Sequence, residues 1–393
     1  MPLEVRKLRV AVNGRLFVGQ ALEGVGRYAL EVTAELMRGL PEADFLLLAD
    51  RAGPLPELPR APERRTLYPS ARHPVLFYAW FELAVPRALR AWRADVFVSL
   101  DNFCSLRTDI PTVLAVHDLA YRHYPTGVSR VQLAFYRRFT PRYVRRAEAV
   151  LAVSEYTRQD LLEAFDLPPE KITVAPNGVR PRFGRLAPKH VTQVRDGLTG
   201  GAPYFIAVGS VHPRKNVDGL IRAFDLFRAN APDDPTHLVI AGRLAWRTEA
   251  VEAALAASPH RSRIHVTGFV SDERLGELIG AALALCLVSR FEGFGVPILE
   301  AYACGLPVVV ADRSSLPEVA GPGGLTVDPD DDADIARALE RLARDGDLRA
   351  VLAQAGHRHA ERYSWSRTGD IVAEVIRNLA TRDSPLSSSA RVP

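Results

Sequence analysis

Two glutamates, Glu292 and Glu300, bracket a glycine-bearing loop and the start of a helix in the stretch LALCLVSRFEGFGVPILEAYACGLPVVVA, residues 283–311. Ionised carboxylates accept hydrogen bonds from hydroxyls and repel phosphate. Between the two lie Gly293, Phe294, Gly295 and Val296. The backbone N–H groups of Phe294 to Val296 are expected at a helix N-terminus, where orphan donors and the helix dipole attract anions. Helical side chains lean toward the N-terminus, so Glu300, about one turn inside the helix, points back at the loop. A hydroxyl-rich group at each glutamate with phosphate between them describes a sugar nucleotide. Taken alone, Glu300 is better explained as an acid in a solvent-facing first turn.

Three further groups stand at the ends of apolar runs. Gly209-Ser210-Val211-His212-Pro213-Arg214-Lys215-Asn216 follows Tyr204–Val208, with Asn216 expected as the N-cap of the next helix. An arginine there grips two oxygens in a fork and a lysine adds a compact point charge, although an adjacent basic pair is most often a solvated loop feature. His117-Asp118 follows Thr112–Val116, and Gly268-Phe269-Val270 follows Ile264–Thr267, with Ser271 expected to cap a helix. Near the start, Gly24-Val25-Gly26-Arg27 opens a helical pattern, where glycines let a backbone approach a ligand or simply make a tight turn.

The elements that carry these groups form one repeated pattern. Leu283–Val288 reads as a buried strand, the loop follows, Pro297 opens a helix, Gly305 closes it, and Leu306–Val310 is the next strand. Further strands are expected at Leu8–Val12, Phe45–Ala49, Asp95–Ser99, Leu151–Ser154, Ile172–Ala175 and His237–Ala241. Strands alternating with helices imply right-handed crossovers and parallel sheets, whose ligands bind at the carboxyl ends of the strands.

At 393 residues the chain is too long for one ordinary core and suits two domains. Three scattered cysteines, with no CxxC pair, argue against a disulfide scaffold or structural zinc and fit a reducing cytosol. No signal-peptide pattern or bilayer-length apolar run is present, so the expected location is the cytoplasm. Residues 1–190 carry 28 basic residues against 20 acidic, and residues 191–393 carry 22 against 26. No nucleic-acid-binding motif accompanies the basic half, so an anionic acceptor or the inner membrane face is the expected partner. Much of that charge lies in residues 121–149, where seven arginines interleave with Val131, Leu133, Phe135, Tyr136, Phe139, Tyr143 and Val144. Such a stretch is either a membrane-facing patch or an ordinary surface helix packing its apolar face inward.

EGFGVPILEAYACGLPVVV resembles the E-x7-E signature of the retaining glycosyltransferases of family 4, and PRKN, PNGV, SEYTRQDLLEAF and RYSWSRTGDIVAEVIRNLA are similar to other segments of that family. The resemblance runs from about Arg9 to Leu379. It implies an α/β protein of GT-B fold, two Rossmann-like domains with parallel sheets facing across a cleft. The corresponding boundaries are 1–190 for the acceptor domain, 191–202 for a linker, 203–365 for the nucleotide-sugar domain, 366–380 for a helix crossing back, and 381–393 for a disordered tail.

The implied chemistry falls to His117 and Glu292 by the donor sugar and to Arg214 and Lys215 on the diphosphate. Asp118 is a weaker candidate beside His117. Glu300 would take the ribose. Gly209, Gly268, Phe269, Val270 and Gly293 to Val296 would line the donor, and Gly24 to Arg27 the phosphate and acceptor. Neither a cofactor nor a metal is expected, because no Asp-x-Asp pair stands at a strand end in the donor domain and Asp328 to Asp332 fall in a late loop. The donor implied by the most similar bacterial mannosyltransferase-like members is GDP-mannose, and the acceptor a glycan or lipid-linked hydroxyl. A sugar-nucleotide epimerase of the same fold and a non-catalytic sugar-nucleotide sensor remain as alternatives.

Overall fold

The computed structural model describes residues 6–19, 22, 24–243 and 248–382. Its chain divides into two compact units. Unit 1 takes Met1–Leu119, Val128–Asn177 and Trp365–Pro393, and unit 2 takes Ala120–Gly127 and Gly178–Ser364. The division thus falls earlier than residue 190, and a short piece of the N-terminal half belongs to the second unit.

Unit 1 holds strands β1 (Arg9–Asn13), β2 (Asp44–Ala49), β3 (Glu63–Thr66), β4 (Val96–Ser99), β5 (Thr112–Val116), β6 (Ala149–Ala152) and β7 (Ile172–Val174). They form one parallel sheet in the order β3-β2-β1-β4-β5-β6-β7. Unit 2 holds β8 (Tyr204–Val208), β9 (His237–Ala241), β10 (Ile264–Gly268), β11 (Ala284–Leu287), β12 (Val308–Ala311) and β13 (Gly324–Val327), also parallel, in the order β10-β9-β8-β11-β12-β13. Each sheet winds one way from its first strand and then reverses, as in a Rossmann fold. The reversal leaves a crevice at the carboxyl ends of β1 and β4 in unit 1, and of β8 and β11 in unit 2.

Central strands such as VFVS, TVLAV and ALCL are wholly buried, as expected where helices cover both faces of a parallel sheet. In unit 2, Phe205, Phe224 and Phe227 lie fully buried in one cluster with Leu220, Ile221 and Ile240. Each such side chain contributes roughly 1.5–3 kcal/mol of transfer free energy.

Three expectations need correction. The strand expected at Leu151–Ser154 begins at Ala149, and Ser154 instead caps helix Glu155–Phe165 by accepting from the Thr157 N–H at 3.0 Å. Residues 191–202 are not a plain linker, because Pro188–Thr199 is a helix held to its unit by Arg195 Nε on the Ala281 carbonyl at 2.8 Å. Only Val194 and Thr199 of that helix are buried, too little apolar surface to show as a period. Asn216 stands at the N-cap position of helix Val217–Asn230 but in a left-handed conformation (φ 55°), with no capping bond. Its amide nitrogen reaches the carbonyls of Val288 at 3.2 Å and Pro329 at 2.6 Å, tying the loops after β8, β11 and β13 together.

Helix Trp365–Arg382 packs in unit 1 along helix Gly24–Gly39, with Arg377 donating to the Gly39 carbonyl at 2.8 Å and Thr368 to that of Pro176 at 2.7 Å. The tail beyond residue 382 lies outside the described residues. Among the described residues no helix is long and apolar enough to cross a membrane.

Candidate functional site

In unit 2 the loop leaving β8 is pinned before its basic pair begins. Gly209 has φ 128°, and its N–H bonds the Ala241 carbonyl at 2.9 Å. A Cβ at Gly242 would stand 1.9 Å from the Gly209 carbonyl oxygen, so only glycine fits there. Gly242→Ala is therefore expected to displace the loop and cost about 1–3 kcal/mol, the range for overpacking. A thermal melt and a transfer assay check this, and an unchanged melting temperature with full activity would contradict it.

The loop then makes a short turn, Pro213–Lys215, and its two cations fold onto the glutamate of the other loop. Lys215 Nζ lies 2.6 Å from Glu292 Oε1, and Arg214 Nη1 lies 3.6 Å from Oε2 and 2.9 Å from the Phe291 carbonyl. The pair was expected in an exposed loop, but the two side chains are only 23% and 20% exposed. Burial alone would raise the Glu292 pKa, and Lys215 and then Arg214 reverse that, holding the carboxyl below its ordinary range. The carboxylate is thus ionised, with both cations gathered on it.

Serines on the far side hold the glutamate loop. The Glu292 N–H donates to Ser314 Oγ at 2.9 Å, and Ser315 Oγ lies 2.9 Å from the carbonyls of Glu292 and Phe294. Gly295 has φ 107° and would press a Cβ to 2.9 Å from Leu316, so glycine alone turns the chain into helix Val296–Ala303. Gly209, Arg214, Lys215 and Gly293 to Val296 therefore converge with Glu292 at the β8/β11 crevice.

Glu300 has a different partner. It is buried, and its Oε1 accepts from Arg180 Nε at 3.0 Å and Nη2 at 2.5 Å. Arg180 Nη1 lies 2.8 Å from Asp272, the first residue of helix Asp272–Gly280. Ser271 caps that helix, as expected, by accepting from the Arg274 N–H. Just before it, Gly268 turns with φ 68° and Phe269 is 67% exposed at the end of β10, with Val270 following. Sequence reasoning passed over Arg180, whose partner is 120 residues away. It also missed residues 120–127, from which His123 stacks on Phe291 at 4.8 Å and the Tyr124 hydroxyl donates to the Arg290 carbonyl at 3.1 Å.

In unit 1, His117 closes β5. Its Nε2 lies 2.9 Å from the Leu100 carbonyl, an acceptor, so the ring carries its proton there. Tyr28 meets the ring edge-on at 4.9 Å and is itself held by the Ala175 carbonyl. Burial lowers the imidazole pKa, with the Leu100 bond, Asp118 and Asp101 opposing. The ring is neutral at neutral pH, with Nδ1 able to accept a hydroxyl proton.

Gly24 to Arg27 form the first turn of helix Gly24–Gly39. Gly26 sits under Leu22, a packing reason for glycine, whereas nothing lies within 4 Å of a Cβ at Gly24. A polar cluster not anticipated from the sequence occupies the β1/β4 crevice. Asn13 Nδ2 bonds Ser99 at 3.0 Å and Asp101 at 2.9 Å, and Arg15 Nε bonds Asp101 at 2.6 Å. The signal available was polar residues just where β1 and β4 end.

Known proteins share this architecture. The family descriptions "Glycosyltransferase Family 4" and "Glycosyl transferases group 1" match residues 22–183 and 192–359. O-antigen chain mannosyltransferase B of Escherichia coli is 28% identical over 363 residues, covering 88% of this chain and 93% of that protein. MMP alpha-(1->4)-mannosyltransferase of Mycolicibacterium hassiacum is 30% identical over 322 residues, 77% of this chain and 75% of that one. Among solved structures, Anabaena HepE in complex with UDP-glucose superposes with a TM-score of 0.73 at 17% identity, covering 95% of this chain and all of that one. The chain belongs to the GT-B glycosyltransferases of family 4 type.

Proposed function

We propose that this glycosyltransferase is a retaining hexosyltransferase of polysaccharide biosynthesis, moving a mannosyl group from GDP-mannose to a hydroxyl of a glycan or lipid-linked acceptor. The observation that carries the reading is the convergence of Arg214, Lys215 and Glu292 at the β8/β11 crevice. In the reaction the bond from the anomeric carbon to the diphosphate oxygen breaks and a bond to the acceptor oxygen forms on the same face. The acceptor hydroxyl gives up its proton to the departing diphosphate, whose oxygen gathers negative charge as the bond breaks. Fixed cations aimed at that charge lower the barrier without reorganising. Arg214 and Lys215 supply them, Glu292 and His117 orient the sugar, and Glu300 accepts the ribose hydroxyls.

Two mannosyltransferases among the relatives support the sugar, and a neighbour solved with UDP-glucose makes the base the variable to test. A thermal-shift screen against GDP-, UDP- and ADP-sugars is the experiment, since a ligand of the native state raises its melting temperature. A shift confined to UDP- or ADP-sugars would reject GDP-mannose. Conversion of a sugar nucleotide with no acceptor present would favour an epimerase instead.

Transfer is expected to need no divalent metal. The acidic run after β13 is engaged by the protein: Asp328 and Asp330 pair with Arg313, Asp330 also with Arg290, and Asp332 with Arg222. Asp331 caps helix Asp332–Arg344. Activity should survive EDTA, and loss restored by Mg²⁺ or Mn²⁺ would count decisively against this.

A further inference from the structure

We infer that Arg180 is a positioning residue that holds Glu300 and the loop after β10 in fixed relation, and so sets how a nucleotide's ribose is read. This rests on the reading that Glu300 accepts the ribose hydroxyls. Glu300 is 2% exposed, and a carboxylate so buried stays ionised only beside a cation and donors. Arg180 places two N–H groups on one oxygen, Oε1, which fixes the plane of the carboxylate. The guanidinium has little freedom of its own. Its carbon lies 4.5 Å over the Phe183 ring, and Nη1 is engaged by Asp272.

Asp272 is the first residue of its helix, directly after the segment Gly268–Ser271 that turns out of β10 with Phe269 exposed. One planar group therefore spans the glutamate of helix Val296–Ala303 and the loop expected to line the donor. Lysine, a point charge on a flexible stem, cannot make both contacts in fixed geometry. Without the arginine, the carboxylate loses the contacts that fix its plane and turns away, and it no longer accepts two hydroxyls at once.

The test measures the affinity of a nucleoside diphosphate and its 2′-deoxy counterpart by calorimetry, with steady-state kinetics beside it. The probe is whichever of GDP, UDP and ADP gives the largest thermal shift. Wild type should prefer the ribonucleotide by about tenfold or more, the scale of a hydrogen bond to a charged group. Arg180→Gln should lose most of that preference and raise the donor KM by about tenfold while kcat stays within a few-fold, and Arg180→Lys should lose part of it. Arg180→Gln combined with Glu300→Gln should discriminate no worse than either alone, because the two act as one unit.

If Glu300→Gln keeps the ribose preference, the ribose reading falls and this inference with it. If Glu300→Gln loses the preference while Arg180→Gln or, should that variant not fold, Arg180→Lys keeps it in full, the inference alone is overturned. Tighter nucleotide binding in an Arg180 variant would also overturn it, since the arginine would then be a plug that ribose must displace.

Discussion

Arg214→Ala or Lys215→Ala is expected to lower transfer at least ~100-fold, the scale for removing one preorganised group that stabilises developing charge. The loss should fall on kcat, because the cations meet their full demand only as the diphosphate departs. Both proteins should remain folded, as their side chains are partly exposed and bury little apolar surface. Lys215→Ala carries a second, smaller effect through Glu292. The Glu292 carboxyl lies below its ordinary pKa in the folded state, so its contribution to stability is present above the unfolded value and vanishes as pH falls through the folded one. Removing Lys215 diminishes that contribution, so the melting temperature should fall modestly at pH 7 and rejoin wild type under acid conditions. Near-normal turnover in both variants would sink the assignment of the clamp.

The parts of this site legible in the sequence are those built from neighbours in the chain. The strand, loop and helix around Glu292 show as an apolar run, two glycines and a proline, because each residue type answers a local backbone demand. Gly295 needs a positive φ, and the run of β11 is buried on both faces. The placing of Arg214 and Lys215 beside that loop follows from parallel topology, since β8 and β11 must meet where the winding reverses. What the sequence hides is held by long-range pairs or by polar surfaces with no period. β3 reads ERRT and sits at a sheet edge, paired on one side only, so no apolar run announces it. Asn13, Arg15 and Asp101 become one cluster only when β1 and β4 pair. Residues 120–127 follow a strand of unit 1 yet pack on the Arg290–Phe291 loop of unit 2, a choice that no local pattern encodes.

Composition left the direction of the arginine-rich stretch open. Helix Arg130–Arg146 is capped by a reciprocal Ser129–Gln132 box, and it turns Arg137, Arg138, Arg142 and Arg145 outward. Its aromatic residues divide between that face and the interior, with the Phe139 ring beneath the guanidinium groups of Arg138 at 5.8 Å and Arg142 at 5.6 Å. Phe135 lies 6.1 Å from Phe77 and 4.7 Å from Phe139, while Tyr143 is fully buried against Phe103. Of the two arrangements the sequence left open, inward packing describes Tyr143 and Val144, whereas Phe135, Tyr136 and Phe139 are only half-buried. Exposed apolar surface comes from Val131 of this helix and from residues 68–83, where Tyr68, Val75, Leu76, Tyr78 and Leu83 face solvent, and Tyr78 touches Phe139 at 5.8 Å.

Arginines beside exposed apolar and aromatic residues suit an anionic lipid surface, each basic residue near it adding about 1 kcal/mol. We therefore propose peripheral membrane association through this face, with a lipid-linked acceptor. Arg137→Glu with Arg138→Glu changes the local charge by four, so binding to anionic vesicles at low salt should fall on the order of a thousandfold. Val75→Ser with Leu76→Ser should weaken binding with less dependence on salt, because it removes apolar contact and no charge. Co-sedimentation with anionic and neutral liposomes at low and high salt reads all of this. Recovery of wild type in the supernatant under every condition would leave a soluble glycan as the better acceptor. Binding that the double charge reversal leaves intact would place the membrane contact on another face.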